Sequence, residues 1–348
     1  MSWKSALYDY VHDRNERALG RKIVPAAADE YDGDRPLGAE DEAVFERIRA
    51  AARRRAADRG ERGLKPVRHE TRSRVLRVDA GKDAVTALIE LRQLFRYESF
   101  GQTHEEERAE RERVELTAQG GKWRVRRIAP LGDEADAAAF ARNVPAGQAD
   151  GGGVGLPAVY PPLPYLNRDV LYSFETGRRK TRYDRQAAVQ YADRWWNSYN
   201  PQFEQFEVDC TNYVSQCIYA GNAPMNYTGK RDLGWWYRGL SGGQELWSYS
   251  WAVANSLQLY LRGGGSAFGL QAAEVDSPAQ LTLGDVICYS WDGVRFGHNT
   301  FVTAMAPDGM PLVNAHTVNS RHRYWDYRDS YAWTERTKYR FFHIADYF

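Results

Sequence analysis

Cysteine is scarce in this chain: Cys210, Cys217 and Cys288 are its three, among 348 residues. An odd number at that density excludes a disulfide scaffold. Cys210 and Cys217 lie two helical turns apart, which on one helix separates their Cα atoms by about 10 Å, beyond the reach of a bridge. Free thiols of this kind suit a reducing compartment. No CxxC pair is present, so no structural zinc is expected, and no metal or cofactor is assigned. No apolar run approaches the roughly 20 residues of a membrane span. The net charge of +1 supplies no field to recruit nucleic acid or an anionic membrane, and neither is expected as a partner. The opening MSWKSALYDYVHDRNERALG lacks the apolar stretch and small-residue site of a signal peptide. A cytoplasmic location is therefore expected unless a leader is missing.

What is present changes along the chain. Up to about residue 145 the sequence is dense in Arg and Glu; beyond it, aromatic residues crowd in. Between the two, Asn143 to Asn167 is rich in Gly and Pro and reads as a linker. This predicts an N-terminal unit over 1–145, a linker over 146–180 and a second unit over 181–348. In the first unit, Ser2–Leu19 and Glu40–Ala57 have helical character. Candidate strands follow at Thr71–Val78, Ala84–Tyr97, Arg111–Leu116 and Lys122–Ile128, the last two separated by the hairpin signal TAQGG. Helices followed by antiparallel strands predict a small α+β layer. Its last hairpin resembles those of cystatin-like or nuclear-transport-factor-like folds. It carries no catalytic constellation, so a role in protein contacts is the default.

In the second unit, Asp184 is placed to cap a helix whose face runs Ala188, Tyr191, Ala192, Trp195 and Tyr199. A second helix follows Asp209 and stops at Gly221. Ser250 is placed to cap a third, with Trp251, Ala254, Leu257 and Leu261 on one face and a stop at Gly263-Gly264-Gly265. Strands are expected at Asp285–Trp291, His298–Ala306, Leu312–Thr317 and Tyr339–Ile344. This is again α+β order.

The chemistry concentrates on the helix reading DCTNYVSQC. Its apolar positions Cys210, Tyr213, Val214, Cys217 and Ile218 follow the spacing of one buried face. Cys210 sits in the first turn, where unsatisfied N–H groups and the helix dipole favour a thiolate. Asp209 fits as the N-cap, and Asp209 and Asn212 are assigned supporting roles; Cys217 is expected to pack. A thiolate enzyme needs a base, and His298 opens a strand on which Thr300, Val302 and Ala304 share its face. A third group should orient the imidazole. Asn314 and His316, on the next strand, both remain candidates. Trp235, Trp236 and Trp251 belong to an aromatic segment suited to stacking on a substrate, although core packing accounts for most such residues.

Together YDRQAAVQYADRWW, DCTNYVSQC, GDVICYSW, GHNTFVT and LVNAHT resemble the bacterial putative amidase domain family, over roughly Arg182–Phe342. The resemblance implies a papain-like cysteine hydrolase with Cys210 as nucleophile and His298 as base. It ranks His316 narrowly ahead of Asn314 as third residue. It also implies an amide or peptide substrate, peptidoglycan stem peptides among them. The same residues suit an acyltransferase with an amine acceptor, and an unreactive Cys210 would leave a peptide- or glycan-binding domain.

Overall fold

The structure, a computed structural model, describes residues 2–19, 39–132, 134, 181–241, 243–263 and 269–348. The anticipated linker, 146–180, lies outside the described residues, as do Gly264 and Gly265. The first part contains α1 (Trp3–Ala18), α2 (Ala39–Glu61), β1 (Lys65–Ala80), β2 (Ala84–Ser99), β3 (Gln102–Gln119) and β4 (Lys122–Leu131). The second contains α3 (Arg185–Trp195), α4 (Cys210–Ala220), β5 (Tyr237–Ser241), β6 (Gln244–Trp247), α5 (Tyr249–Ala252) and α6 (Ala254–Arg262). It continues through β7 (Ala272–Val275), β8 (Val286–Ser290), β9 (His298–Met305), β10 (Pro311–Ala315), β11 (Asn319–Tyr324) and β12 (Lys338–Ile344). The class is α+β, with one large antiparallel sheet and few helices.

That sheet has ten strands and runs β1-β2-β3-β11-β10-β9-β8-β12-β7, with β4 also paired to β3. The first four strands are longer than their apolar alternation suggested. In β2, buried residues alternate with less buried ones along its whole length. The β3–β4 turn is made by Gly120 and Gly121, both at positive φ (55° and 77°), the conformation that a two-residue hairpin with this twist requires. Ala6, Leu7 and Val11 of α1 pack on Val85, Ala87, Ile89, Leu91, Val114 and Leu116 to form this part's core.

One sheet carries both parts: Glu107–Ala109 of β3 pair with Asn319–Arg321 of β11. Strand β11 was not anticipated, because Asn319-Ser-Arg-His-Arg lacks an apolar alternation. Its partner segment on β3 is as charged as itself, and Arg321 pairs with Glu107 at 2.9 Å.

In the second part, α3, α4 and α6 pack on one face of the sheet around Tyr213, Val214, Cys217, Ile218, Trp235, Trp251 and Phe301. The opposite face holds Ile287, Tyr289, Trp291, Val302, Val313 and Tyr327. Asp184 caps α3 as expected, accepting from the Ala187 N–H at 2.9 Å; Tyr199 lies beyond the helix end. The helix expected after Ser250 is two short ones, broken at Val253, whose backbone is extended. Ser248, not Ser250, precedes the first, while Ser250 donates to the Gly234 carbonyl.

The tryptophans assigned to substrate are spent on packing. Trp235 and Trp251 are fully buried and Trp236 nearly so. Their indole N–H groups donate to Ser215 Oγ, Asn212 Oδ1 and the Leu233 carbonyl respectively. Trp251 contacts the rings of Trp235, Tyr237 and Phe203 with centroids 4.9, 5.5 and 5.9 Å away. Trp251→Ala is expected to cost about 3–5 kcal/mol, read from the urea midpoint at constant m. A loss below about 1 kcal/mol would mean that the surrounding rings close the gap.

Candidate active site

Cys210 begins α4 and is buried (1% exposed). Its Sγ lies 3.7 Å from Thr211 Oγ1, and the backbone amide of Asn299 and the hydroxyl of Thr317 stand beside it. Burial pushes the thiol up from its ordinary value, and these neighbours oppose the shift only in part. In this closed arrangement Cys210 is a neutral thiol at pH 7.

Asp209 occupies the N-cap position but makes no side-chain capping bond. Its carboxylate instead ties the site together. Oδ1 accepts from the Phe206 N–H at 3.1 Å and from Asn212 Nδ2 at 2.9 Å; Oδ2 meets His316 Nδ1 at 2.7 Å. His316 Nε2 faces the Trp195 carbonyl at 2.7 Å, and its ring stacks on Tyr213 at 4.1 Å. Both ring nitrogens are thus engaged, and the imidazole acts as a brace between α3 and the start of α4. Asn314 is also occupied: Nδ2 donates to Asp193 at 3.0 Å, while Oδ1 accepts from Thr303 Oγ1 and the His322 N–H at 2.7 and 2.9 Å. Neither candidate for the third residue bonds His298.

His298 opens β9 as expected, but its ring faces the sheet side away from α4. It pairs in register with Tyr289 and lies among the rings of Tyr289, Trp291 and Tyr327 at 5.5, 5.9 and 5.4 Å. The neighbouring Asn299 is the residue that looks toward α4, donating from Nδ2 to Thr211 Oγ1 at 3.1 Å. The structure therefore does not bring His298 and Cys210 into a hydrogen bond. His298 is fully buried and neither ring nitrogen has a partner among the described residues. Burial pushes it down to about 4, with Glu134 opposing and Arg323 reinforcing the shift.

That shift has a thermodynamic sign. Above pH 6.5 the ring is neutral in both the folded and unfolded chain. As pH falls toward 4 the unfolded chain binds a proton that the folded one refuses, so stability is lost across this window. The loss attributable to His298 is about 3 kcal/mol. His298→Phe keeps a ring in the aromatic cage and removes the titration. Unfolding free energies at pH 7 and 4.5 should fall more steeply for the wild type than for this variant; equal slopes would refute the assignment.

Several site features had no sequence signal. Thr317 has a backbone φ of +87°, costly for a β-branched residue, and its buried hydroxyl stands beside the Cys210 thiol. Glu134 is buried and bonds Arg323 Nη1 and Ser330 Oγ, each at 2.8 Å, so the first part reaches the neighbourhood of His298. Beside them lies a cavity of about 320 Å³ walled by charges of both signs, among them Arg108, Arg323, Glu110, Glu207 and Asp329. Thr317 belongs both to its wall and to the surroundings of the Cys210 thiol.

A buried cysteine at a helix start, opposite a short antiparallel meander, is found here in a segment with a recognisable family. Residues 182–342 match the family described as a putative amidase domain. The description points to amide hydrolysis. The uncharacterized protein YhbB of Bacillus subtilis (strain 168) is 49% identical over 169 residues, which is 48% of this chain and 52% of that protein. The chain thus spans about half the length of this curated relative. No solved structure matches.

Proposed function

We propose that residues 181–348 form a cysteine-dependent amide or peptide hydrolase of papain-like type, preceded over 1–145 by a unit of cystatin-like or nuclear-transport-factor-like type. Helices followed by an antiparallel meander support the first assignment, and α1 and α2 with the β1–β4 meander support the second. One observation carries the functional reading: Thr317 belongs to the wall of the charged cavity and stands beside the Cys210 thiol, so a substrate held there lies near a nucleophile.

In the proposed reaction Cys210 Sγ attacks the amide carbon, its proton passing to His298. His298 returns that proton to the departing amine as the C–N bond breaks, leaving a thioester. Water, deprotonated by His298, then releases the acid and restores the thiol. The backbone N–H of Cys210 is the natural donor to the developing oxyanion. For His298 to act, the start of β9 must turn its ring toward Asn299's side, because the resting ring faces away. The charged cavity favours a substrate bearing both carboxylate and ammonium groups, a description that peptidoglycan stem peptides fit.

The test is incubation with a muropeptide digest and a panel of dipeptide amides, with intact-mass detection of a thioester on Cys210. Hydroxylamine added to the same mixture separates transfer from hydrolysis, since an acyltransferase diverts the acyl group wholly to the amine. No adduct and no turnover across the panel, with a folded protein, would leave the binding-domain reading in its place.

A further inference from the structure

A second cavity, of about 170 Å³, lies in the first part between α1, α2 and the sheet. Arg14, Arg17, Arg49, Arg55, Arg59 and His69 line it, and among the described residues Glu112 is the one carboxylate in its wall. Glu112 is already committed, accepting from Tyr10 and forming an ion pair with Arg14. Arg49 leans outward to Glu46 at 3.0 Å, and Arg55 Nε approaches Asp329 at 3.4 Å without a hydrogen bond.

Arg59 is the unusual member. It donates to the Ala18 carbonyl at 2.5 Å and lies over the Phe95 ring at 3.8 Å, and among the described residues no carboxylate pairs with it. A cation taken from water without a counterion is costly. Burial and the nearby Arg55 push Arg59 down to about 9. Beside it, His69 is 8% exposed with Nδ1 unpartnered among the described residues, and burial together with Arg55, Arg59 and Arg14 pushes it down to about 3. The electrostatics therefore agree with the geometry: the cavity is a positive, partly open space lined by half-buried arginines and the buried His69.

We propose that this cavity is a binding site for a small oxyanion, phosphate or a phosphate monoester, held by Arg59, Arg55 and His69. Guanidinium groups match the spacing of phosphate oxygens. A dianion answers several converging cations, whereas a single carboxylate answers one. The volume admits a phosphate with a small substituent. Arg55, Glu112 and Tyr331 also line the larger cavity, so an anion here would lie back to back with the candidate active site. The inference does not depend on the amidase reading, because Arg59 and His69 line the smaller cavity and not the larger one.

Equilibrium dialysis with inorganic phosphate at fixed ionic strength tests it on the full chain. The expected result is saturable binding of one phosphate per chain. Arg59→Gln should weaken it tenfold or more, while Arg72→Gln, which removes an equal charge from an exposed strand position, leaves it unchanged. Equal effects of the two variants, or no saturation in the wild type, would overturn the site. Should Arg59→Gln not fold, thermal unfolding of the wild type in a phosphate series at fixed ionic strength decides: a rise that saturates at low millimolar phosphate supports the site, while no rise, or one that only grows with salt as general exclusion does, overturns it. Methyl phosphate binding as well as inorganic phosphate identifies an ester as the ligand class, and much weaker binding identifies the free ion. Acetate binding equally well would overturn the choice of a phosphate.

Discussion

Cys210→Ala is expected to reduce turnover of any amide substrate by about 10⁴-fold or more, the size of effect seen when a covalent nucleophile is removed. The thioester adduct should disappear with it. The fold should barely respond, since replacing one buried thiol by a methyl group costs on the order of 1 kcal/mol. Cys217→Ala and Cys288→Ala provide the contrast. Both thiols are buried in the core around Val214 and Phe301, and burial pushes both well up. These variants should lose some stability and keep their activity. If Cys210→Ala retains turnover while folded, the cysteine mechanism fails whatever the family. If all three variants lose it together, the loss reports the core and not the chemistry.

Asp209→Ala is expected to cost as much stability as Trp251→Ala. Its side chain is 1% exposed and accepts from three groups: the Phe206 amide, Asn212 and His316. Alanine leaves His316 Nδ1 and the Phe206 N–H without this acceptor and takes one of two from Asn212 Nδ2, which keeps the Glu204 carbonyl at 2.9 Å; a broken buried pair of this kind costs about 3–5 kcal/mol. Asp209→Asn keeps the shape and one acceptor oxygen, so its cost should be intermediate. Denaturant unfolding of both variants measures this. Because His316 braces α3 against the first turn of α4, Asp209→Ala should also make Cys210 more accessible to iodoacetamide at pH 7, while Cys217 stays protected. A variant as stable as the wild type would mean that the brace rests on packing of His316 against Tyr213 alone.

Local patterns in the sequence foretold local structure well. The cap at Asp184 and the Gly120-Gly121 hairpin follow from short-range rules and are found at those places, whereas α4, read as having one buried face, is buried on every side from Cys210 to Ile218. Alternation also grouped His298 with Thr300 and Val302, as observed. It could not say on which face of β9 the helix α4 would pack, and that choice decides whether His298 or Asn299 meets Cys210. The Asp209–His316 bond joins residues 107 apart and leaves no trace in spacing. Trp235, Trp236 and Trp251 looked the same in sequence whether they served a groove or the core. Only their spent indole N–H groups distinguish the two.

The pairing of β3 with β11 has a consequence for synthesis. Along one edge of β3, β4 covers 111–119 and β11 covers 107–109. The hairpins β1–β4 close locally and can form as soon as they leave the ribosome. Arg321, which pairs with Glu107, follows it by 214 residues, on the order of 10–40 seconds of translation. Throughout that interval the short stretch of edge at Glu107–Ala109 has no partner strand, an open invitation to a neighbouring nascent chain. The run Glu105-Glu106-Glu107-Arg108 makes it a poor template for such a neighbour, and Arg321 supplies the charge that a correct partner brings.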